Sequence, residues 1–269
     1  NDSIKKKIKS SKKVGAKTGY HLVVRNLSTQ VEDTLKFVTN FVLAKETEKL
    51  AYITTGNTKK SPHSIKLLDM TTGDTQHVFE SHYKTKYFQL ALSDSGKNIA
   101  FVADRDSTKV QVRPNELYHW SKGSEIAIKY VDAMTAPLGY RVSSDGSIHF
   151  SKDESKMYFG LATPPIVKDT TLLKEEIVNV EVWTYDEPRL YTVQELQVKS
   201  DQKKSYLTAI HLDSKKLVQL GNTTYPTISL GGEGNASYAL ASNPAPYQLE
   251  GQWTAQRASD YAIVDVSNG

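Results

Sequence analysis

The side chains through which this 269-residue chain could support chemistry include histidine, aspartate and glutamate. Cysteine is absent from the sequence. The absence of cysteine excludes disulfides, thiolate metal ligands and a thiol nucleophile. The sequence contains neither the His-Glu-x-x-His spacing of a zinc site nor the Gly-x-Ser-x-Gly turn of a serine nucleophile. We therefore expect no catalytic residue, no metal site and no cofactor in this chain.

The histidines have no spacing that is typical of metal ligands. Three of them, at positions 63, 77 and 82, would meet at a metal only if folding happened to bring them together. We expect the histidines to be solvated or to lie on strand surfaces. They are His21, His63, His77, His82, His119, His149 and His211.

Asp94, Asp145 and Asp153 fall in expected turns between strands. A calcium loop would need the pattern Asp-x-Asp-x-Asp-Gly, which is absent. Short carboxylates in turns commonly accept hydrogen bonds from nearby backbone amides. We therefore expect these aspartates to have a structural role.

The elements that would position these side chains are β-hairpins that recur along the chain. Residues 88–102 form an apolar strand, a polar turn with Asp and Gly, and a second strand that contains an aromatic residue. The same pattern recurs in residues 38–54 and 148–161, and in a weaker form in residues 227–240. Copies of one hairpin predict a repeat protein.

A second type of hairpin alternates with the first, and its leading strand ends in Asn or Asp. One hairpin of each type gives four antiparallel strands, and such a unit repeated about every 40–50 residues is typical of propeller blades. We expect an all-β fold, a β-propeller of about four to five blades, with a β-sandwich as the alternative. The second type begins with Val24–Asn26, Leu67–Asp69, Ile210–Asp213 and Ile263–Asp265.

The chain divides into a Lys-rich segment, residues 1–18, which we expect to be flexible, and propeller blades over residues 19–269. Lysines in the first segment account for the net charge of +4. No aromatic residue interleaves with them, as nucleic-acid binding would require. No apolar stretch approaches the ~20 residues that span a bilayer. We therefore expect no nucleic-acid partner and no membrane span.

The sequence starts and stops inside blades rather than between them. One explanation is a small ring that closes by joining its two ends, and the other is a part of a larger propeller. We expect a partial propeller.

A family resemblance is carried by the stretch Val180–Leu190, which reads Val-Glu-Val-Trp-Thr-Tyr-Asp-Glu-Pro-Arg-Leu. It is similar to a valine-glutamate-valine-tryptophan and aspartate-proline stretch of large bacterial peptidases from Bacteroidetes-like organisms. The blade pattern of residues 20–269 resembles the propellers of prolyl-oligopeptidase and dipeptidyl-aminopeptidase serine peptidases. We expect residues 181–185 to form a strand and Trp183 to pack between sheets.

The resemblance implies a non-catalytic propeller that caps an α/β-hydrolase domain and restricts access to short peptides. The implied partners are that domain of the parent chain and the peptides, and the implied location is periplasmic or secreted. In dipeptidyl aminopeptidases of this type, paired propeller glutamates hold the substrate amino group, which makes Glu175 and Glu176 candidates. Their neighbours do not match the family motif, so a solvated connector is the alternative.

A different function is also compatible with the blade pattern. A stand-alone propeller would bind protein or glycan partners on one face without any catalysis. The gene downstream of residue 269 distinguishes the two, because only the peptidase needs a Gly-x-Ser-x-Gly hydrolase domain.

Overall fold

The computed structural model describes residues 19–58, 60–167, 169, 171, 173, 175, 180, 182, 184–254 and 257–269. The Lys-rich segment 1–18, with its expected flexibility, lies outside the described residues. The chain divides into two compact units. Unit 1 contains the residues up to 108 and residues 114–131, and unit 2 contains residues 109–113 and 132–269.

Unit 1 consists of nine described strands in two antiparallel sheets. One sheet has the order β1-β2-β3-β4-β5 and the other has the order β6-β7-β8-β9. The strands are β1 (Tyr20–Arg25), β2 (Glu32–Leu43), β3 (Lys49–Thr54), β4 (His63–Asp69), β5 (Thr75–Ser81), β6 (Lys86–Leu92), β7 (Asn98–Asp104), β8 (Asn115–Ser121) and β9 (Ile128–Val131).

Strand β2 belongs to two hairpins at once. Its first half, residues 32–35, pairs with β1, and its second half, residues 40–43, pairs with β3. The change of partner coincides with a register shift between Val38 and Asn40 and with a positive φ of 60° at Phe37. We therefore define blade I as residues 40–43 of β2 with β3, β4 and β5, and the β1 hairpin as β1 with residues 32–35.

Unit 2 contains the remaining described strands and two α-helices. Its larger sheet has the order β10-β12-β13-β14, with β11 also paired to β12, and its smaller sheet has the order β15-β16-β17. The elements are β10 (Arg141–Val142), β11 (His149–Phe150), β12 (Lys156–Ala162), α1 (Tyr191–Asp201), β13 (Tyr206–His211), β14 (Lys216–Gln219), β15 (Thr227–Leu230), β16 (Tyr238–Asn243), α2 (Gln248–Thr254) and β17 (Asp260–Asp265).

The strand order confirms the expected β-propeller fold. Strands β6–β9 form blade II, strands β10–β14 form blade III, and strands β15–β17 form blade IV. In blades I, II and IV, neighbours in sequence pair antiparallel, and in blade III both β10 and β11 pair with β12. The two hairpin types alternate as expected. Blade IV has three described strands, whereas blade II has four.

Adjacent blades in unit 1 pack face to face. The side of blade I that carries Ala51, Ile53 and Leu67 forms one apolar cluster with Leu92 and Phe101 of blade II. We call the side of a blade that packs against the next blade in sequence the forward face. The side that packs against the preceding blade is the backward face. Burial of such side chains contributes about 25 cal/mol per Å² of apolar surface removed from water.

Unit 2 repeats this packing with the same register. Tyr158 and Ala209, on the forward face of blade III, cluster with Ala239, Leu230 and Val264 on the backward face of blade IV. The Tyr158 hydroxyl also donates a 2.7 Å hydrogen bond to the Gly234 carbonyl. The pairing rule between successive blades is therefore the same in both units.

The connection between β12 and β13 departs from the sequence expectation. Val182, Thr184 and Tyr185 are not in a strand, so the predicted strand over 181–185 is wrong for the described residues. The aromatic side chain expected in the core, Trp183, lies outside the described residues. Residues 191–201 of this connection form the helix α1.

Neither of the two described α-helices is long and apolar enough to cross a membrane.

Candidate functional site

The aspartates singled out in the sequence stabilise turns. Asp153 accepts hydrogen bonds from the Ser151 hydroxyl at 2.6 Å and from the Ser155 amide at 3.0 Å. Asp94 pairs with Lys45 at 3.0 Å, and Asp145 accepts the Ser144 hydroxyl at 3.1 Å. The Asx-turn hydrogen bond to a backbone amide is thus confirmed for Asp153, and the other two make side-chain contacts.

Hydrogen bonding has a strong effect on the charge of Asp153. The Ser151 hydroxyl is the largest contributor, and together with the Ser155 donors it lowers the pKa of Asp153 to about 2. Because these donors favour the ionised carboxylate, the group is held charged at any ordinary pH. A carboxylate of this kind is unsuited to general acid–base work near neutral pH.

Most of the histidines lie on strands, and several of them bind backbone carbonyls. The His63 ring contacts the Thr85 carbonyl at 2.9 Å, and the His211 ring contacts the Val266 carbonyl at 3.0 Å. His119 is buried and contacts Asn98, which differs from the expected surface position. His82 lies in a loop, with its ring 2.6 Å from the Arg105 carbonyl. The four imidazole rings are therefore held in place by contacts within the fold.

The paired glutamates are only partly described. Glu175 is exposed in a turn of the β12–β13 connection, and Glu176 lies outside the described residues. The structure therefore places one member of the pair, and the role of the pair stays a prediction.

A groove of about 770 Å³ lies in unit 2. It lies between the β12–β13 connection, which contains α1, and the β16–β17 connection, which contains α2. Both connections join the second and third strands of their blades. Its apolar lining comes from Pro188, Leu190, Val193 and Pro244.

Polar side chains fix the two walls of the groove. The Arg189 guanidinium binds both oxygens of Asp201, at 2.8 and 3.3 Å, which joins the residues before α1 to its end. The Gln252 amide donates to the Pro188 carbonyl at 2.8 Å and so links α2 to the other wall. The Arg189 hydrogen bond lowers the pKa of Asp201.

The remaining polar side chains in the described lining of the groove are two amides, a phenol, a cation and the hydroxyl of Ser259. Gln197 and Gln248 line the groove, and the Tyr247 hydroxyl donates to Asp260 at 2.7 Å, a bond that raises the pKa of the tyrosine. Arg257 also lines the groove, is exposed, and has no ion-pair partner among the described residues. Arg189 is paired with Asp201, so among the described lining residues Arg257 is the cation that could contact an anionic group.

The described lining of the groove contains groups suited to binding a ligand. Ser259 is the one hydroxyl of serine or threonine in the described lining, and no histidine stands beside it there. Groups of three or more histidine, aspartate or glutamate side chains that could hold a metal ion are absent among the described residues. Side-chain amides, apolar walls and Arg257 could hold a ligand that has both apolar and hydrogen-bonding groups.

Sequence reasoning missed this groove and its residues. Trp253 is 83% exposed on α2. The chain forms a short 3₁₀ turn at Ala245–Tyr247 and then α2, and the hairpin pattern of the sequence does not predict these elements. The hydrophobic periodicity of a packed helix, the usual signal, is absent because neither helix has a buried residue.

Comparison with known proteins gives structural similarity at low identity. No protein-family profile matches the sequence, and no curated protein matches it. TolB from Acinetobacter baumannii is similar over 95% of this chain and 49% of its own, with 12% identity and a TM-score of 0.43. The tricorn protease is similar over 94% of this chain and 30% of its own, with 9% identity and a TM-score of 0.41.

An acylaminoacyl peptidase from Pyrococcus horikoshii is similar over 77% of this chain and 28% of its own, with 14% identity and a TM-score of 0.40. The chain thus spans about half or less of the length of these three proteins. Similarity at this level says nothing about the activity of this chain.

Proposed function

We propose that this chain is the non-catalytic propeller portion of a prolyl-oligopeptidase-type serine peptidase, which caps the active site and restricts access to short peptides. The observation that carries the proposal is the groove of unit 2. Its amides, apolar walls and Arg257 suit a peptide, and its described lining holds no nucleophile–base pair. The resemblance of Val180–Leu190 to bacterial peptidases of this type supports the same function.

The parent enzyme supplies the chemistry under this proposal. Its α/β-hydrolase domain carries the serine, histidine and aspartate, and the propeller contributes selection by size. Glu175 and Glu176 hold the substrate amino group through charge-assisted hydrogen bonds. A periplasmic or secreted location follows from a role in degrading short peptides outside the cytoplasm.

Sequencing the gene beyond the codon for Gly269 tests the first part of the proposal. The expected result is a Gly-x-Ser-x-Gly motif within an α/β-hydrolase domain of the same open reading frame. A reading frame that contains no such domain would refute it.

A substrate-length series tests selection by size. The full-length enzyme should cleave a short fluorogenic peptide and leave the same cleavage sequence intact when it lies in a long, unstructured protein. The variant Glu175→Gln/Glu176→Gln should raise KM for peptides with a free amino terminus and leave KM for acetylated peptides unchanged. The variant Glu187→Gln, in the same connection, is the matched control.

A second candidate, a stand-alone module that binds glycans or proteins, is favoured by one observation. The indole of Trp253 is 83% exposed beside the groove, and exposed aromatic rings are common in sites that stack ligands. Titration of the chain with oligosaccharides, followed by Trp253 fluorescence, tests this candidate. A saturable change that Trp253→Ala abolishes would favour it over the peptidase proposal.

A further inference from the structure

Within the described residues, the β1 hairpin is an incomplete blade with an open edge. Strand β1 occupies the position of a third blade strand, because it precedes a turn and pairs with the strand after it, as β4 and β8 do. Strands β4 and β8 have a partner on each side. Strand β1 has one described partner, the first half of β2.

A trough of about 690 Å³ continues from this open edge. Its floor is apolar and comes from Leu22 and Val24 of β1 together with Phe41, Leu43 and Leu50 of blade I. Arg25 and Glu48 lie among its charged lining residues. The trough is continuous with the buried cluster of Val38, Leu50, Tyr52 and Leu68, against which Leu22 and Val24 already pack.

Strand register shows what is missing from this trough. Leu43 lies opposite Leu50, just as Leu92 lies opposite Ile99 in blade II and Leu230 lies opposite Ala239 in blade IV. Each of these leucines ends the first strand of its blade, immediately before the turn. They are therefore equivalent positions on the backward face.

Exposure differs sharply among the three leucines. Leu92 is 9% exposed in the cluster with blade I, and Leu230 packs against the buried cluster of unit 2. Leu43 is 53% exposed, and its neighbour Phe41 is 47% exposed. At the covered positions, the contacts come from second and third strands of the preceding blade, such as Ala51 and Leu67. Beside Leu43 the third strand is present as β1, and the second strand is absent from the described structure.

We propose that the open edge of β1 and the trough over Phe41 and Leu43 form a docking site for a β-hairpin. The second strand of this hairpin pairs antiparallel with β1 and places small or branched apolar residues, equivalent to Ala51 and Ile53, against Leu43. Its first strand completes a four-stranded blade. The proposal concerns assembly alone and holds whatever reaction the parent protein catalyses.

A fusion of the full chain tests this docking site. A copy of residues 38–54 is joined to the N-terminus, with Thr at the copied positions of Phe41, Leu43, Leu50 and Tyr52 so that its outer face is polar. The readout is hydrogen–deuterium exchange of residues 20–25. Docking should slow exchange of the edge amides of β1 by about tenfold relative to the control fusion.

The control fusion carries the same copy with Ala51→Asn and Ile53→Asn, which leaves its length and linker unchanged. Exchange in β12 and β13 of unit 2 reports whether both fusions are folded. Equal exchange of β1 in the two folded fusions would overturn the proposal. So would protection that persists when Phe41→Ser and Leu43→Ser are placed in the body of the chain.

A second copy of the chain is the competing occupant. In that case β1 of the unfused chain would be protected in a concentration-dependent manner, and Leu43→Ser would abolish both this protection and the dimer seen by light scattering. That result would overturn the hairpin proposal and show that a second copy of the chain binds this site.

Discussion

The backbone amide of Glu46 donates a 2.9 Å hydrogen bond to the carbonyl of Asp94, so the hairpin turns of blades I and II are directly joined. The Asp94 carboxylate adds an ion pair with Lys45. In unit 2, the Lys152 amide donates to the Glu233 carbonyl at 3.1 Å, which joins the turns of blades III and IV in a similar way. The polar residues of the repeated turns therefore connect one blade to the next.

Replacing Ser93 by alanine should destabilise unit 1. The buried Ser93 hydroxyl oxygen accepts hydrogen bonds from the amides of Lys97 and Asn98 at 3.2 and 3.0 Å, and the alanine variant lacks this acceptor. The expected loss is about 1–3 kcal/mol of unfolding free energy, measured by urea denaturation. Ser28→Ala, at an exposed turn, is the control and should change stability little; equal effects of the two variants would contradict the role of Ser93.

The stabilising effect of Asp153 should depend on pH. Its folded-state pKa of about 2 lies below the ordinary value, so its contribution is fully present above the unfolded pKa, near pH 4. The contribution is lost as the pH falls through the folded pKa. The stability difference between the native chain and Asp153→Asn should therefore shrink between pH 4 and pH 2. Urea denaturation at several pH values measures this difference, and a difference that stays constant between pH 4 and pH 2 would contradict the role of the Asp153 carboxylate.

Equivalent positions on two forward faces should respond differently to truncation. Leu67 lies opposite Ala51 in blade I as Ile263 lies opposite Leu240 in blade IV, but Leu67 is 5% exposed and Ile263 is 77% exposed. Leu67→Ala should cost about 2–5 kcal/mol, and Ile263→Ala less than about 0.5 kcal/mol. Comparable losses in chemical denaturation would show that another element covers Ile263 in solution.

Breaking the pair between Arg189 and Asp201 should loosen α1 without unfolding unit 2. Helix α1 has no buried residue, so this ion pair and the bond from Gln194 to the Arg189 carbonyl hold it in place. Arg189→Gln should speed hydrogen exchange in residues 191–201 and leave β12 and β13 unchanged. Lys199→Gln is the control within the same helix; if it speeds exchange equally, the ion pair has no special role.

The hairpins could be predicted from sequence because alternating apolar residues and polar turns are local signals. The paired strands of residues 88–102 and 227–240 appear where they were expected. The sequence predicted strand β2 only from Val38 onward, whereas the strand begins at Glu32. Its two halves belong to different hairpins and meet at the positive φ of Phe37, so they do not share one continuous hairpin pattern.

The groove could not be predicted, for a physical reason. Arg189, Gln252 and Arg257 come together through contacts between connections of two different blades, and such contacts leave no periodic pattern in the sequence. The same holds for Leu43, whose exposure depends on which strands are adjacent to it and not on its own hairpin.

Labelling with a fluorophosphonate probe tests most directly the claim that this propeller is non-catalytic and belongs to a serine peptidase. The probe reacts with activated serine nucleophiles, and tryptic mapping locates the labelled residue. The account predicts that the full-length product of the gene is labelled at a serine outside residues 1–269 and that this chain alone is unlabelled. Labelling of a serine within residues 1–269, or an unlabelled full-length protein, would contradict it.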